Sequence, residues 1–275
     1  MDKKPKPPLL VILGPTGSGK SDLAIKLAKK FNGEIVNADS RQVYKEMYIG
    51  TGSPFTSPLP SLERRGLRGG SLPLHGVPHH LFHIVAPNQE FTVAHYQQRA
   101  IKTIAEIHAR GKLPILVGGT GLYIRAVVEN LDIPPVAPNK KLREQFEKEI
   151  SLTRSDLKQG QTLKRYYQWL LKLDPQTKVD PHNPRRIIRA LEVCLATKKP
   201  WSMLQQKKEP LFNALQIGIK IPSQELYRRI DARVEKMMQQ GLVEETKKLI
   251  KKYPLSLPAM SGIGYREVGS ILRSL

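Results

Sequence analysis

Cysteine is almost absent from this chain of 275 residues, which contains one, Cys194. A single thiol cannot form an internal disulfide or supply a cysteine-based zinc site, so a disulfide-stapled framework is excluded. Long apolar runs are also missing, because the N-terminal run extends only from Leu9 to Leu13. This is too short for a signal-peptide core and far too short to span a membrane. The sequence therefore predicts a cytoplasmic protein without a membrane partner.

Acidic residues are scarce beside basic ones. The chain has 24 Asp and Glu against 45 Lys and Arg, which gives a net charge of +21 at pH 7. Such an excess attracts polyanions over long range, nucleic acid first and an anionic membrane surface second. A lysine-rich solubilising surface is the alternative, since the basic residues are spread along the chain. The length and the hydrophobic content of 40% indicate a globular protein of about two domains, or one with a large insertion.

A phosphate-binding motif lies near the start of the chain. Residues 9–30, LLVILGPTGSGKSDLAIKLAKK, run from an apolar strand through a glycine-rich loop into an amphipathic helix. They fit the pattern G-x-x-x-x-G-K-[ST] at Gly14, Gly19, Lys20 and Ser21. The loop would point backbone N–H groups at an anion, Lys20 would add a charge, and Ser21 would offer Mg²⁺ a hydroxyl ligand. The motif predicts binding of a di- or triphosphate and leaves kinase, hydrolase and transferase activity open.

Further strands follow the phosphate loop. GEIVNADS predicts a second strand from Glu34 to Ala38 that delivers Asp39 at its carboxyl end. KLPILVGGTG predicts a third strand, Ile115 to Val117, which ends before Thr120, and NALQIGIKI resumes the sheet later. Strands that alternate with helices favour a parallel sheet, whose ligands gather at the carboxyl ends of the strands. We therefore expect Asp39 and Thr120 to face the same region as Lys20.

Two segments interrupt this alternation. Residues 53–78 are rich in Pro, Gly and Ser and predict a long loop with three arginines, which is either without a role or a basic lid. Residues 122–205 are charged and helical in pattern. The predicted fold class is α/β, a P-loop NTPase-like parallel sheet with a helical insertion domain. The core would comprise residues 1–121 and 206–275, and the insertion residues 122–205.

Six blocks of the sequence stand in a characteristic order: GPTGSGKS, NADSRQVYK with IGT after it, VPHHL, LPILVGGTGLY, RRIIRALE and ELYRRIDARVEKM. In order and spacing, from residue 9 to the end of the chain, this resembles the tRNA dimethylallyltransferases, also called tRNA isopentenyltransferases. The resemblance implies transfer of a dimethylallyl group from dimethylallyl diphosphate to the N6 amine of the adenosine 3′ of the anticodon, with release of diphosphate. The tRNA anticodon stem-loop is the partner that the resemblance implies. We also expect Mg²⁺ as cofactor and a monomer, although no sequence feature indicates the oligomeric state.

The resemblance also assigns the donor site. The diphosphate would be held by Gly14, Pro15, Thr16, Gly17, Ser18, Gly19, Lys20 and Ser21, and the catalytic residues would be Thr16, Lys20, Asp39 and Arg229. Asp39 would accept the proton of the attacking amine, and a Mg²⁺-coordinating carboxylate is the alternative. Arg229 would be a second cationic clamp on the diphosphate, and an exposed helix arginine is the alternative.

The resemblance implies tRNA contacts at Asp39, Ser40, Arg41, Gln42, Thr120, Arg185, Arg186 and Arg189. An adenine can enter a crevice only after it leaves the anticodon stack, and Thr120 would lie beside the flipped nucleotide. Gln42 could hydrogen-bond an adenine edge. Helical spacing places Arg185 and Arg189 four apart with Arg186 adjacent, which gives one cationic patch that could grip the RNA backbone. Glu192 could neutralise part of this patch, and a solvated helix face is the alternative.

Some features depart from the family pattern. Glu46 and Tyr48 stand in KEMYIGT where the family usually has KGMDIGT, and His83 replaces an acid in HHLFH. The four histidines around this block could suggest a metal site, but no cysteine or carboxylate lies among them, so we do not expect zinc. The chain ends at GYREVGSILRSL, where family members normally continue with a further basic stretch. It is either a short variant, in which the basic loop could compensate, or a truncated sequence, and weak tRNA binding is the hazard.

Three rival functions fit the sequence less well. An adenylate isopentenyltransferase would modify a free nucleotide, which needs neither the charge of +21 nor the helical insertion. A P-loop small-molecule kinase would gain nothing from the DSRQ and RRIIRALE blocks. A catalytically silent RNA-binding protein would have no use for Lys20 and Asp39. A tRNA dimethylallyltransferase is therefore the predicted function.

Overall fold

The computed structural model describes residues 5–55, 72–151, 156–204 and 208–274. It divides into two compact units, one of Met1–Glu129 with Pro210–Leu275 and one of Asn130–Glu209. The strands are β1 Pro8–Leu13, β2 Gly33–Asn37, β3 Leu72–Leu74, β4 Val77–His80, β5 Leu113–Gly118 and β6 Asn213–Gly218. The helices are α1 Lys20–Lys30, α2 Val93–Ala109, α3 Gly121–Val128, α4 Lys140–Ser151, α5 Asp156–Leu173, α6 Pro184–Thr197, α7 Trp201–Leu204, α8 Ser223–Gln239, α9 Leu242–Lys252 and α10 Tyr265–Ser274, with a 3-10 turn at Ala259–Ser261 before α10.

The first unit is built on one mainly parallel sheet. The strand order is β3-β4-β2-β5-β1-β6, and β3 alone among these strands runs antiparallel to its neighbour β4. Ile12 of β1 lies beside Val117 of β5 and Ile217 of β6, so the three strands end at the same edge. The predicted α/β fold with a parallel sheet is confirmed, and its carboxyl edge is where ligands are expected.

Alternate residues of β1 enter two different cores. Leu10 and Ile12 pack with Ala24 and Ala28 of α1, whereas Leu9 and Val11 belong to the cluster that contains α2 and α3. A parallel strand buried on both faces reads as a continuous apolar run, which explains the sequence LLVIL. The sheet therefore lies between helical layers, and its strand ends are fixed from both sides.

The predicted loop over residues 53–78 is wrong in its last part, where β3 and β4 form a hairpin. His75 and Gly76 connect them with φ angles of +51° and +78°, as a two-residue hairpin turn requires. Leu72 packs against Phe55 and Phe82. The Pro- and Gly-rich composition concealed this short strand. The three arginines of that segment lie in 56–71, outside the described residues.

The second unit is a helical cluster with its own core. Its buried side chains include Leu142 and Phe146 from α4, Leu170 from α5, and Ile187 and Leu191 from α6. The start of α6 is capped by the Asn183 side chain, which accepts the Arg186 amide, and proline follows at the first helical position. Among the helices in the described parts of both units, none is both long and apolar enough to cross a membrane.

Candidate active site

A cavity of about 710 Å³ opens at the carboxyl edge of the sheet in the first unit. This volume is typical of small-molecule sites, which occupy roughly 300–1,000 Å³. Its lining includes Thr16, Gly17, Gly19, Lys20, Ser21, Asn37, Asp39, Arg41, Gln42, Thr51, Gly118, Arg229, Ile230, Arg233, Val234, Ser261, Ile263 and Tyr265. The phosphate loop, the end of β2 and one face of α8 therefore share one cavity.

The phosphate loop has a geometry suited to an anion. Gly17 and Gly19 adopt φ angles of +81° and +82°, and α1 starts directly after them at Lys20. The Ser18 hydroxyl is buried and has no hydrogen-bond partner among the described residues. A buried hydroxyl without a partner is costly, and this one lies at the positive end of a helix. Gly17, Gly19 and the start of α1 thus form an anion-binding shape, whereas the Ser18 side chain does not line the cavity.

Two cations and one carboxylate act on one another in the cavity. Burial lowers the pKa of Lys20 below the usual lysine value, the Asp39 carboxylate opposes this, and the Arg233 charge adds to it. Burial also lowers the pKa of Arg233, again opposed by Asp39. The Lys20 ammonium donates to the Pro15 carbonyl at 2.6 Å. Two partly desolvated cations beside one carboxylate leave a local positive excess that favours an anionic ligand.

Asp39 is held both through its carboxylate and through its main-chain amide. Its Oδ1 accepts the Arg41 amide proton at 2.8 Å, and its own amide donates to Asn37 Oδ1 at 3.0 Å. Asn37 is buried and donates in turn to the Leu81 carbonyl at 3.1 Å. The carboxylate therefore has a fixed direction at the end of β2, which a catalytic base needs.

The two arginines of α8 differ in their surroundings. Arg229, the predicted clamp, is exposed, and its Nε donates to the Glu225 carboxylate at 2.7 Å. Arg233, one turn further along, is half-buried and donates to the Thr51 carbonyl at 3.3 Å, a neutral acceptor. Both line the cavity, but Arg233 interacts with Lys20 and Asp39. Sequence reasoning missed Arg233, although one signal was present. The residue four positions before Arg229 is an acid, whereas the residue four positions before Arg233 is Arg229 itself.

Comparison with known proteins identifies the family. A sequence model described as IPP transferase matches residues 42–274. The tRNA dimethylallyltransferase of Dehalococcoides mccartyi is 42% identical over 272 residues, which cover 98% of this chain and 76% of that protein. The tRNA dimethylallyltransferase of a Roseiflexus species is 44% identical over 264 residues, with coverage of 94% and 79%. The chain belongs to the IPP transferase family.

Solved structures of the family have the same fold. The full-length tRNA isopentenylpyrophosphate transferase of Bacillus halodurans aligns with a TM-score of 0.62 at 34% identity, covering 98% of this chain and 78% of that one. A eukaryotic dimethylallyltransferase acting on tRNA aligns with a TM-score of 0.71 at 30% identity, covering 98% of this chain and 64% of that one. The predicted family membership is therefore confirmed. The IPP transferase match begins after the phosphate loop and Asp39, whereas the relatives span 94% or more of the chain.

The residues predicted to touch tRNA at the end of β2 take part in internal hydrogen bonds. Thr120 Oγ1 accepts the Ser40 amide at 3.0 Å and lies 3.2 Å from Ser40 Oγ. The Arg41 guanidinium donates to the Pro258 carbonyl and to Ser261 Oγ. Gln42 Nε2 donates to the carbonyls of Thr51 and Gly52 at 3.2 and 3.1 Å. In this member of the IPP transferase family, Asp39, Arg41 and Gln42 line the cavity, whereas Ser40 and Thr120 do not, and the contacts of all five residues with tRNA stay predictions.

The arginines of α6 fall into two groups. Arg185 and Arg186 are exposed, as a contact with RNA phosphates requires. Arg189 is half-buried, pairs with the buried Glu192 carboxylate at 3.2 Å and donates to the Val136 carbonyl at 2.9 Å. Arg143 also binds Glu192, at 2.7 Å. Arg189 therefore has a structural task inside the second unit, and its predicted role in RNA binding stays untested.

The departures from the family pattern have local explanations. Glu46 has a φ of +64°, and its carboxylate accepts from Lys252 at 2.6 Å and from the Tyr253 hydroxyl at 3.0 Å. The rings of Tyr48 and His83, which replace two acids, lie 4.4 Å apart. Burial lowers the pKa of His83, so the imidazole is neutral near pH 7. Two carboxylates have thus been exchanged for an uncharged ring pair.

The oxygen donors of the cavity fit a magnesium ion beside a diphosphate. The Ser21 hydroxyl is exposed in the first turn of α1 and lines the same cavity as the Asp39 carboxylate. Mg²⁺ prefers oxygen ligands and is usually held by one or two protein groups together with substrate phosphates. In the described parts of the chain, His, Cys, Asp and Glu side chains do not gather in groups of three or more that would form an all-protein metal site.

Proposed function

We propose that this member of the IPP transferase family transfers a dimethylallyl group from dimethylallyl diphosphate to the N6 amine of the adenosine 3′ of the anticodon in tRNA. The observation that carries the proposal is the shared cavity. A phosphate loop, the cations Lys20 and Arg233, and the fixed carboxylate of Asp39 all meet there. The relatives quoted above bear the name of this activity.

The donor diphosphate would bind at the phosphate loop. When the bond between C1 and the diphosphate oxygen breaks, negative charge develops on the leaving oxygen. The loop amides and Lys20 can donate to that group, and Arg233 lies across the cavity as a second cation. Magnesium held at Ser21 would supply further charge neutralisation to the diphosphate oxygens. Stabilising the leaving group in this way lowers the barrier to allyl transfer.

Asp39 is proposed to manage the proton. The N6 amine of adenine attacks C1, a C–N bond forms, and the amine must lose a proton as it becomes alkylated. The Asp39 carboxylate, aimed by Asn37 and the Arg41 amide, would accept it. Should Asp39 instead coordinate magnesium, its replacement by asparagine would weaken the metal dependence of donor binding in addition to the rate.

The acceptor has to reach this cavity from a stacked RNA loop. The adenosine must therefore leave the anticodon stack before transfer, at a cost of a few kcal/mol. The exposed Arg185 and Arg186 are proposed to bind RNA phosphates, and the net charge of +21 favours the encounter. A monomer remains the predicted state, which light scattering of the free protein tests.

The test follows radiolabel from dimethylallyl diphosphate, with Mg²⁺, into unmodified tRNA and into AMP in parallel. The variants are Asp39→Ala and Asp39→Asn, with Asp231→Asn as matched control, because Asp231 is an exposed aspartate of α8 outside the cavity lining. We expect label in tRNA alone, lost in both Asp39 variants and kept in the control.

Other outcomes would redirect the proposal. Label in AMP alone would assign the chain to free-nucleotide modification. Label in neither acceptor, together with thermal stabilisation by ATP but not by dimethylallyl diphosphate, would indicate a kinase. Full activity of Asp39→Ala would refute the role of Asp39 as base while leaving the transfer itself in place.

A further inference from the structure

One carboxylate outside the cavity lining organises the turn of residues 48–52. Glu245, in the first helical turns of α9, accepts three consecutive backbone amides. Tyr48 donates to its Oε2 at 3.1 Å, Ile49 donates to both oxygens at 3.0 and 3.1 Å, and Gly50 donates to its Oε1 at 3.2 Å. A carboxylate that caps successive amides is strongly held, because each bond is charge-assisted.

Tyr265 completes the same arrangement. Its hydroxyl donates to Glu245 Oε1 at 2.6 Å and accepts the Gly50 amide at 3.1 Å. The tyrosine is buried, and burial together with the Glu245 charge raises its pKa, so the hydroxyl stays protonated. Its ring lies directly on Gly50, where an added methyl group would come within 2.5 Å of it. Both side chains therefore fix the amide side of the turn.

The carbonyl side of the same turn holds two groups of the cavity wall. The Thr51 carbonyl accepts from Arg233 at 3.3 Å and from Gln42 at 3.2 Å, and the Gly52 carbonyl accepts from Gln42 at 3.1 Å. The Arg233 guanidinium rests on Gly52, since a methyl group there would lie 1.5 Å from Nη2. The position of the guanidinium thus depends on where the turn lies.

We infer that Glu245, assisted by Tyr265, is a positioning residue for Arg233 and thereby tunes the affinity of the site for the donor diphosphate. Glu245 does not line the cavity and acts through the 48–52 turn. A displaced turn would let Arg233 retreat from the phosphate loop, and a charge-assisted contact is sensitive to such displacement. The inference rests on the proposed function only in taking diphosphate as the ligand of Arg233.

The experiment is a double-mutant cycle on the affinity for inorganic diphosphate, measured by calorimetry with Mg²⁺ well below the melting temperature. The variants are Glu245→Gln, Arg233→Ala and the double variant. Glutamine has the shape of glutamate but places an NH₂ group against backbone N–H donors, so it disrupts the capping. Glu244→Gln is the matched control, because Glu244 is exposed and adjacent on α9.

We expect Glu245→Gln to raise the dissociation constant on the order of tenfold, part of the loss caused by Arg233→Ala. In the Arg233→Ala background the same change should have almost no effect, because the positioned group is gone. A merely destabilising substitution would act equally in both backgrounds. Glu244→Gln should leave the affinity unchanged. Tyr265→Phe should act in the same direction with a smaller factor, and it replaces Glu245→Gln in the cycle if that variant does not fold.

The outcomes separate this inference from the proposed function. Equal effects of Glu245→Gln in both backgrounds, or no effect in either, would overturn the inference and leave the role of Arg233 intact. An unchanged affinity in Arg233→Ala, or no binding of diphosphate by the unaltered protein, would overturn both the inference and the proposed role of Arg233.

Discussion

The two arginines of α8 give a direct test of the site. We predict that Arg233→Gln weakens diphosphate binding strongly, whereas Arg229→Gln has little effect. The two side chains lie one helical turn apart and both line the cavity, so the substitutions are matched in charge, element and location. Their exposure and their partners differ, because Arg229 is exposed and binds the Glu225 carboxylate, whereas Arg233 is half-buried and binds the Thr51 carbonyl.

The magnitude follows from these partners. A hydrogen bond to a charged group contributes roughly 1.5–3 kcal/mol, which corresponds to a roughly 10- to 150-fold change in dissociation constant. Diphosphate binding should lose this contribution when Arg233 is replaced, because the guanidinium is half-buried and its contact with the neutral Thr51 carbonyl can persist beside an anion. Arg229 is exposed and shares the Glu225 carboxylate with Arg228, so its loss should change the affinity by less than about threefold.

Calorimetry with inorganic diphosphate measures both affinities, and thermal melting of each variant checks that the fold is retained. A larger loss for Arg229→Gln than for Arg233→Gln would refute the assignment made from the structure. That result would mean that Arg229 releases Glu225 and turns toward the phosphate loop when the ligand binds, as the family resemblance alone suggests.

Three further results are expected. Gly118→Ala should destabilise the first unit by about 1–3 kcal/mol or more in melting experiments, because an added methyl group would lie 2.1 Å from the Ala38 carbonyl oxygen. Gly119→Ala should be tolerated, because there the nearest atom would lie at 3.5 Å. Diphosphate affinity should fall as the pH rises through the pKa of Lys20. Because burial lowers that pKa, the fall should occur at a lower pH than for an ordinary lysine. The Lys20→Arg variant should not show this fall in the same pH titration. Arg186→Ala should reduce the slope of log tRNA affinity against log salt concentration by about 1 without altering the melting temperature. Arg189→Ala should lower the melting temperature, because the buried Glu192 carboxylate loses a partner.

Much of the core could be predicted from local patterns. The apolar run before the phosphate loop, the strand that delivers Asp39 and the strand before GGTG all occur within one or two residues of the expected bounds. These are strands buried on both faces, and such strands are readable as continuous apolar segments. The hairpin of β3 and β4 could not be predicted from the sequence, because strands of three and four residues, each with a proline, show too little alternation.

The candidate site could be predicted where a local motif determines the backbone shape. It could not be predicted where long-range contacts determine the position of a side chain. The phosphate loop and Asp39 follow from short segments. Arg233 and Glu245 depend on how α8 and α9 dock on the 48–52 turn, almost 200 residues away in sequence. A cation on a helix face gives no local sign of whether it faces an acid, a carbonyl or a cavity, and only the tertiary arrangement settles this.

Asp39, the proposed base, and Arg233, the proposed second cation, lie on elements of different burial. Asp39 lies at the end of β2, in a buried hydrogen-bond network with Asn37, and the adjacent β5 is almost wholly buried. Arg233 lies on α8, which has no fully buried residue in the described chain and no side-chain cap at its start. Elements with few buried contacts reorganise at lower free-energy cost than core strands. If the diphosphate binds here, we therefore expect the α8 side of the cavity to adjust more readily than β2, so that the Asp39 carboxylate, the proposed base, keeps its position.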